Sequence, residues 1–133
     1  MLPSEPLAPK LSGKTVLVVE DDDFIRDLFV TKLSSLAYNV ETAKDGQEAL
    51  AKIKTLKPSL VLLDLVLPKM DGFEVLGLVR DDPALISIPI VVLSNLGEPK
   101  DIAKAKGLGA RDYIIKANYT PSEVAEKIAE FVF

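Results

Sequence analysis

Residues 59–64, with the sequence SLVLLD, form an apolar run of strand length that ends abruptly in an acidic residue. Leu60 to Leu63 contains no polar side chain, which is typical of a strand buried on both faces of a parallel sheet. A carboxylate that directly follows such a strand needs a partner, because burying an unpaired charge is unfavourable. This stretch therefore predicts a central strand with a polar site at its carboxyl end.

The rest of the chain repeats the pattern of a short strand followed by a helix. Predicted strands cover residues 15–19, 39–43, 59–63, 90–93 and 112–115, and predicted helices cover 24–36, 47–56, 73–80, 100–108 and 121 to about 132. Five strands alternating with five helices indicate an α/β fold, in which a parallel sheet carries helices on both faces. The doubly wound strand order 2-1-3-4-5 fits this pattern, with the three most apolar strands, 15–19, 59–63 and 90–93, in the centre.

Length and composition favour one domain with a short leader. The chain has 133 residues, of which 48% are hydrophobic, enough for one core. Pro3, Pro6 and Pro9 stand in a segment without regular periodicity. We therefore expect a flexible leader over residues 1–13 and a domain over residues 14–133, the alternative being a short arm packed on the domain.

Composition also excludes several functions. The absence of Cys rules out disulfides and thiolate catalysis, and the absence of His removes the usual general base. A net charge of −4 argues against direct binding to nucleic acid. The sequence contains no apolar run of about 20 residues and no signal peptide, which predicts a cytoplasmic protein that does not bind membranes. We also expect no DNA-binding output domain after Phe133.

Polar residues collect where the predicted strands end. In an open parallel sheet, the ligand crevice lies at the carboxyl ends of the strands where the winding reverses, here between strands one and three. The acidic residues of those two strands should therefore meet in one pocket. The strand ends carry Glu20 and Asp21 (first strand), Asp64 (third), Ser94 (fourth) and Lys116 (fifth).

These residue types suit phosphoryl transfer. Three clustered carboxylates repel one another unless some are protonated or a cation neutralises them, and oxygen ligands without His or Cys favour Mg²⁺ or Mn²⁺. Lys116 and Ser94 can each contact a phosphoryl oxygen, and Asp64 can act as the nucleophile. Any one of these residues alone could be a loop cap or a surface charge. Their joint occurrence at four of five strand ends favours a common site.

Four segments carry a family resemblance. They are residues 16–22 (VLVVEDD), 61–72 (VLLDLVLPKMDG), 89–94 (PIVVLS) and 109–116 (GARDYIIK). In order and spacing they resemble the receiver domains of two-component response regulators, including the chemotaxis-type single-domain ones. The resemblance extends over about residues 14 to 133.

The resemblance implies a role for each polar strand end. By this analogy Asp64 is the phosphoacceptor, and Glu20 and Asp21 are the acidic metal-binding pair, with Asp21 favoured as the direct ligand. The implied roles of the remaining positions are a backbone carbonyl ligand (Val66), a switch hydroxyl (Ser94), a lysine that pairs with the phosphoryl group (Lys116) and an aromatic switch (Tyr113). The phosphodonor would be a phosphohistidine on a sensor histidine kinase or phosphotransfer protein.

The resemblance further implies a switch. Phosphorylation would draw Ser94 toward the new group, and Tyr113 would fill the vacated space and alter the face of the fourth helix, fifth strand and fifth helix. That face would act on a downstream target or output domain, and it is a common dimer face in the family. The alternative is that Tyr113 is an ordinary half-exposed strand residue.

Three positions depart from the family pattern. Ala117 replaces the proline that usually follows the lysine in a cis peptide bond, which predicts either a strained cis bond or a rebuilt loop. Val66 and Leu96 are apolar where the family flanks the attacking water, which predicts slow self-dephosphorylation. Two other functions stay open: an aspartyl-phosphate phosphohydrolase, which usually has a second Asp where Val66 stands, and a receiver-like binding scaffold that is not phosphorylated.

Overall fold

The computed structural model describes residues 13–132, so nearly all of the predicted leader lies outside the described residues, as does Phe133. Strands and helices alternate along this range. The strands are β1 (Thr15–Val19), β2 (Asn39–Ala43), β3 (Leu60–Leu63), β4 (Ile90–Ser94) and β5 (Asp112–Ile115). The helices are α1 (Asp23–Ser35), α2 (Gly46–Leu56), α3 (Gly72–Arg80), α4 (Pro99–Gly107) and α5 (Pro121–Ile128), and 3-10 turns follow β5 (Lys116–Asn118) and α5 (Ala129–Phe131).

The five strands form one parallel sheet of order β2-β1-β3-β4-β5. This confirms the predicted fold class and strand order. The three central strands are the apolar ones, and nearly all of their residues are buried, whereas the edge strands β2 and β5 carry partly exposed polar residues. The polarity of each strand thus matches its position in the sheet.

Each face of the sheet has its own core. Val61 and Leu63 of β3 pack with residues of α2, α3 and α4, while Leu60 and Leu62 pack with residues of α1 and α5. The division follows from the strand geometry, because successive side chains point to opposite faces. Both faces of the central strands are therefore covered, and the polar residues are left at the strand ends.

Side-chain caps define where several helices begin. Asp22 accepts a hydrogen bond from the Ile25 amide at 2.9 Å and so begins α1, and Asp71 begins α3 in the same way. Thr120 and Glu123 form a reciprocal capping box at the start of α5. No helix within residues 13–132 has the length and apolarity needed to cross a bilayer.

The end of α5 differs from the prediction. The α-helix was expected to reach about Val132, but it ends at Ile128 and tightens into the 3-10 turn Ala129–Phe131. Helix ends often tighten in this way. The last carbonyls of an α-helix have no partner within the helix, and in a 3-10 turn the carbonyl of residue i accepts a hydrogen bond from the amide of residue i+3. The other predicted bounds differ from the structure by no more than one residue at each end.

Candidate functional site

The parallel register of β1 and β3 determines where the acidic residues meet. Val19 and Leu63 are paired across the two strands, so the residues that follow them, Glu20 and Asp64, leave the sheet side by side. The Asp64 amide donates to the Val19 carbonyl at 3.1 Å, which continues the ladder by one residue. The pattern that predicts a site at the end of β3 therefore has a direct structural cause.

Three carboxylates converge at this edge. Glu20, Asp21 and Asp64 each offer an oxygen, and these oxygens all lie within 4.8 Å of one another. Glu20 is only 4% exposed and Asp64 only 6%, while Asp21 is exposed. Carboxylates this close repel one another unless a cation neutralises them, so the cluster can hold a metal ion.

Lys116, the first residue after β5, reaches the cluster from the turn that follows this strand. Its ammonium donates to Asp64 Oδ2 at 2.8 Å and to Glu20 Oε1, and its side chain is 13% exposed. If all four groups are ionised, the three carboxylates and one ammonium carry a formal charge of −2. A divalent cation would neutralise that charge, which is the fit expected of a magnesium site.

Burial and hydrogen bonding shift the pKa values of two of these groups. Burial raises the pKa of the Glu20 carboxyl, and hydrogen bonds from Lys116 and the Asp22 amide offset this only in part. Burial lowers the pKa of the Lys116 ammonium, but the hydrogen bonds to Asp64 and Glu20 outweigh it, so that pKa is raised overall. Lys116 therefore remains a cation at neutral pH.

The loop after Asp64 is held close to its carboxylate. The Val66 amide donates to Asp64 Oδ1 at 3.2 Å, while Val66 as a whole is 59% exposed. Gly72, at the start of α3, packs on the same backbone, since a Cβ there would lie 2.5 Å from the Asp64 carbonyl oxygen. The close approach of the first residue of α3 to the Asp64 backbone thus requires a residue without a side chain.

Ser94 ends β4, the strand beside β3, and Tyr113 lies on β5, three residues before Lys116. Ser94 is fully buried at the end of β4, where its hydroxyl accepts a hydrogen bond from the Leu96 amide at 3.4 Å. The Tyr113 hydroxyl donates to the Leu96 carbonyl, and its half-buried ring packs on the core. Burial is the main reason why the pKa of Tyr113 is raised. Both residues therefore contact the loop that follows β4.

Ala117 adopts the second of the two predicted conformations. All peptide bonds among residues 13–132 are trans, and the chain after β5 is rebuilt as the 3-10 turn Lys116–Asn118. The Ala117 amide donates to Asn95 Oδ1 at 3.0 Å. Asn95 was not among the predicted site residues, although the sequence shows a polar residue directly after Ser94 and, at position 117, a residue that has a backbone N–H.

The chain matches a known protein family. The sequence pattern of the response regulator receiver domain matches residues 16–129. This chain belongs to that family. The family match confirms the resemblance to the receiver domains of two-component response regulators that the four sequence segments indicated. The observed strand order agrees with this assignment.

Three relatives illustrate the similarity of this receiver domain to known proteins. The alkaline phosphatase synthesis transcriptional regulatory protein PhoP of Bacillus subtilis is 40% identical over 116 residues, which are 87% of this chain and 47% of PhoP. The phosphorylated cyanobacterial phytochrome response regulator RcpA has a TM-score of 0.79 and 35% identity, covering 90% of this chain and 93% of RcpA. The Mn²⁺-bound response regulator Rcp1 has a TM-score of 0.78 and 29% identity, covering 89% and 93%.

The receiver domain accounts for only part of PhoP and of the other curated relatives. The chain spans about half the length of the curated relatives it matches. The similarity therefore concerns the receiver region and not the remainder of those longer proteins.

Proposed function

We propose that this receiver takes a phosphoryl group onto Asp64 from a phosphohistidine of a sensor histidine kinase or phosphotransfer protein. The observation that carries the proposal is the convergence of three carboxylates and one ammonium around the nearly buried carboxylate of Asp64. In the reaction, an Asp64 oxygen forms a bond to phosphorus while the bond from phosphorus to the histidine nitrogen breaks. An ionised carboxylate needs no base, so the lack of His in this chain is no obstacle.

A Mg²⁺ ion is the proposed cofactor, and Mn²⁺ fits the same ligands. Glu20, Asp21 and Asp64 would hold it together with the backbone carbonyl of Val66. Support comes from the formal charge of −2 in the cluster and from the Mn²⁺ in the related Rcp1. When bound, the ion supplies positive charge to the phosphoryl oxygens and to the attacking carboxylate.

Lys116 and Ser94 are the proposed protein contacts of the phosphoryl group. The Lys116 ammonium, now bonded to Asp64 Oδ2, would bond instead to a phosphoryl oxygen. The Ser94 hydroxyl lines the same pocket and would donate to a second oxygen. Such fixed donors stabilise the charge that spreads over the transferring group. The chain would thus catalyse its own phosphorylation once per acceptor, without turnover.

The signal would leave through the face formed by α4, β5 and α5. Movement of Ser94 toward the phosphoryl group would carry the Leu96 amide with it. Tyr113, whose hydroxyl is bonded to the Leu96 carbonyl, would then change its packing on that face. The Tyr113 hydroxyl therefore offers a physical connection between the site and the output surface, which would also serve a homodimer.

We infer the cellular setting from the family. The domain boundaries proposed are a leader over residues 1–13 and the receiver over residues 14–133. The relatives are named as transcriptional regulators and are about twice as long, so an output domain or a separate protein target would act downstream. A kinase-coupled receiver without Cys suits the cytoplasm.

The test is an intact-mass measurement after incubation with acetyl phosphate and Mg²⁺. The wild type should gain one phosphoryl group, while Asp64→Asn should gain none, and chelation of the metal should abolish the gain. Asp71→Asn is the matched control, because Asp71 caps α3 and does not contact the cluster. A mass gain in Asp64→Asn equal to the wild type would exclude this acceptor.

A further inference from the structure

The loop after β4 is joined to the turn after β5 by one side chain. Asn95 Oδ1 accepts a hydrogen bond from the Ala117 amide at 3.0 Å. We propose that Asn95 is a positioning residue for phosphoryl transfer, acting through the two residues beside this bond. The inference rests on the proposed function.

The hydrogen bond joins the residues that directly follow Ser94 and Lys116, the two proposed contacts of the phosphoryl group. Asn95 directly follows Ser94, and Ala117 directly follows Lys116. The hydrogen bond therefore links the backbone that carries the buried hydroxyl to the backbone that carries the ammonium. If both groups must reach oxygens of one phosphoryl group, their separation matters, and the Asn95 carboxamide restricts it.

The bond exists because residue 117 is not proline. Proline has no N–H, so the loop usual in the family could not donate at this position. The first amides of a helical turn have no partner within the turn, and the Ala117 amide is one of these in the 3-10 turn Lys116–Asn118. Asn95 supplies the missing acceptor from another loop. The hydrogen bond thus requires both Asn95 and a residue other than proline at position 117.

The hydrogen bond from the Tyr113 hydroxyl would not replace the one between Asn95 and Ala117. The Tyr113 hydroxyl holds the Leu96 carbonyl, which ties the β4–α4 loop to β5 itself rather than to the turn behind Lys116. Asn95 and Ala117 are both exposed, so water can satisfy either group after a substitution. We therefore expect loss of the bond to alter the position of the two loops more than the stability of the fold.

The experiment measures phosphorylation by acetyl phosphate, in which the phosphoryl group moves to Asp64 and acetate leaves. Asn95→Ala should slow this reaction by about threefold at saturating Mg²⁺, the effect of one exposed hydrogen bond. The Mg²⁺ affinity measured by calorimetry should stay at the wild-type value, because Asn95 acts on Ser94 and Lys116 and not on the metal ligands. Asn118→Ala, the same change at an exposed residue of the same turn, should leave both quantities unchanged.

A second background isolates the hydrogen bond. Ala117→Pro removes the donor, so adding Asn95→Ala there should alter the rate by no more than the measurement error. Equal slowing in both backgrounds, a wild-type rate in Asn95→Ala, or a parallel loss of Mg²⁺ affinity would each overturn the positioning role. If Ala117→Pro does not fold, the comparison of Asn95→Ala with Asn118→Ala still decides the matter. Failure of the wild type to accept a phosphoryl group from acetyl phosphate would instead refute the proposed function.

Discussion

The Lys116 ammonium lies 2.8 Å from Asp64 Oδ2 and also donates to Glu20, although Lys116 and Asp64 are 52 positions apart along the chain. All three side chains are largely buried, whereas the pair of Lys100 and Glu98, 3.8 Å apart, lies in solvent. Salt and water screen the buried pairs far less than the exposed one. Lys116 is therefore a strong electrostatic influence on the site.

Replacing Lys116 with methionine should impair phosphorylation while keeping most of the side-chain volume. We expect the rate with acetyl phosphate and Mg²⁺ to fall by about 100-fold or more, because the positive charge of Lys116 beside the transferring phosphoryl group is lost. Lys100→Met removes an exposed lysine and should leave the rate unchanged. Intact-mass time courses give both rates, and a near wild-type rate for Lys116→Met would contradict the assigned contact.

The apolar pair Val66 and Leu96 should make the acyl phosphate long-lived. Neither side chain can orient an attacking water by hydrogen bonding, so self-dephosphorylation should be slower than in fast chemotaxis-type receivers. Val66→Asn adds a polar group at an exposed position and should shorten the half-life. Val66→Ala, smaller but still apolar, serves as the control. The half-life is followed by mass after removal of acetyl phosphate, and equal decay in the two variants would refute the role of polarity.

Gly72→Ala should destabilise the domain and disturb the backbone at Asp64. A Cβ at position 72 would lie 2.5 Å from the Asp64 carbonyl oxygen and 2.7 Å from the Leu65 Cα, so backbone must move. Overpacking of this kind costs about 1–3 kcal/mol. Gly77→Ala in the same helix is the control, since its Cβ would meet nothing nearer than Leu108 Cδ2 at 4.0 Å. It should stabilise by up to about 1 kcal/mol, and urea unfolding measures both.

Glu48 should make part of the stability dependent on pH. The Lys44 amide is the main cause of its lowered pKa, and Lys52 adds to the effect. Because the folded pKa lies below the unfolded one, the contribution is present above the ordinary value of 4.5 and is lost as pH falls through the folded pKa. Glu48→Gln should therefore lower the melting temperature slightly at pH 7 and by a smaller amount at pH 3. An equal difference at both pH values would rule out this origin.

The pattern of short apolar runs was sufficient to predict most of the fold. β1, β3 and β4 are central because their residues are apolar on both faces, and that property is visible in the sequence without any tertiary information. The convergence of Glu20, Asp21 and Asp64 followed from the strand order, since parallel neighbours end at the same edge. Their roles in phosphoryl transfer stay predictions that the experiments above address.

The loops could not be predicted in the same way. The sequence left two conformations open at Ala117, and it did not indicate that Asn95 would meet the amide of that residue. Nor did it show that Lys116 would bond to Glu20 as well as to Asp64. Each of these contacts joins segments that are distant in sequence, and their geometry depends on where the packed helices direct the chain.

The amino-acid sequence by itself determined the strands, the helices and the polar ends of the sheet, because hydrophobic periodicity and helix caps are local properties of a few residues. Only the tertiary structure decided which oxygens the Lys116 ammonium contacts and how the turn after β5 is held. Those features depend on distances of a few ångströms between loops, and such distances are set when both faces of the sheet are packed.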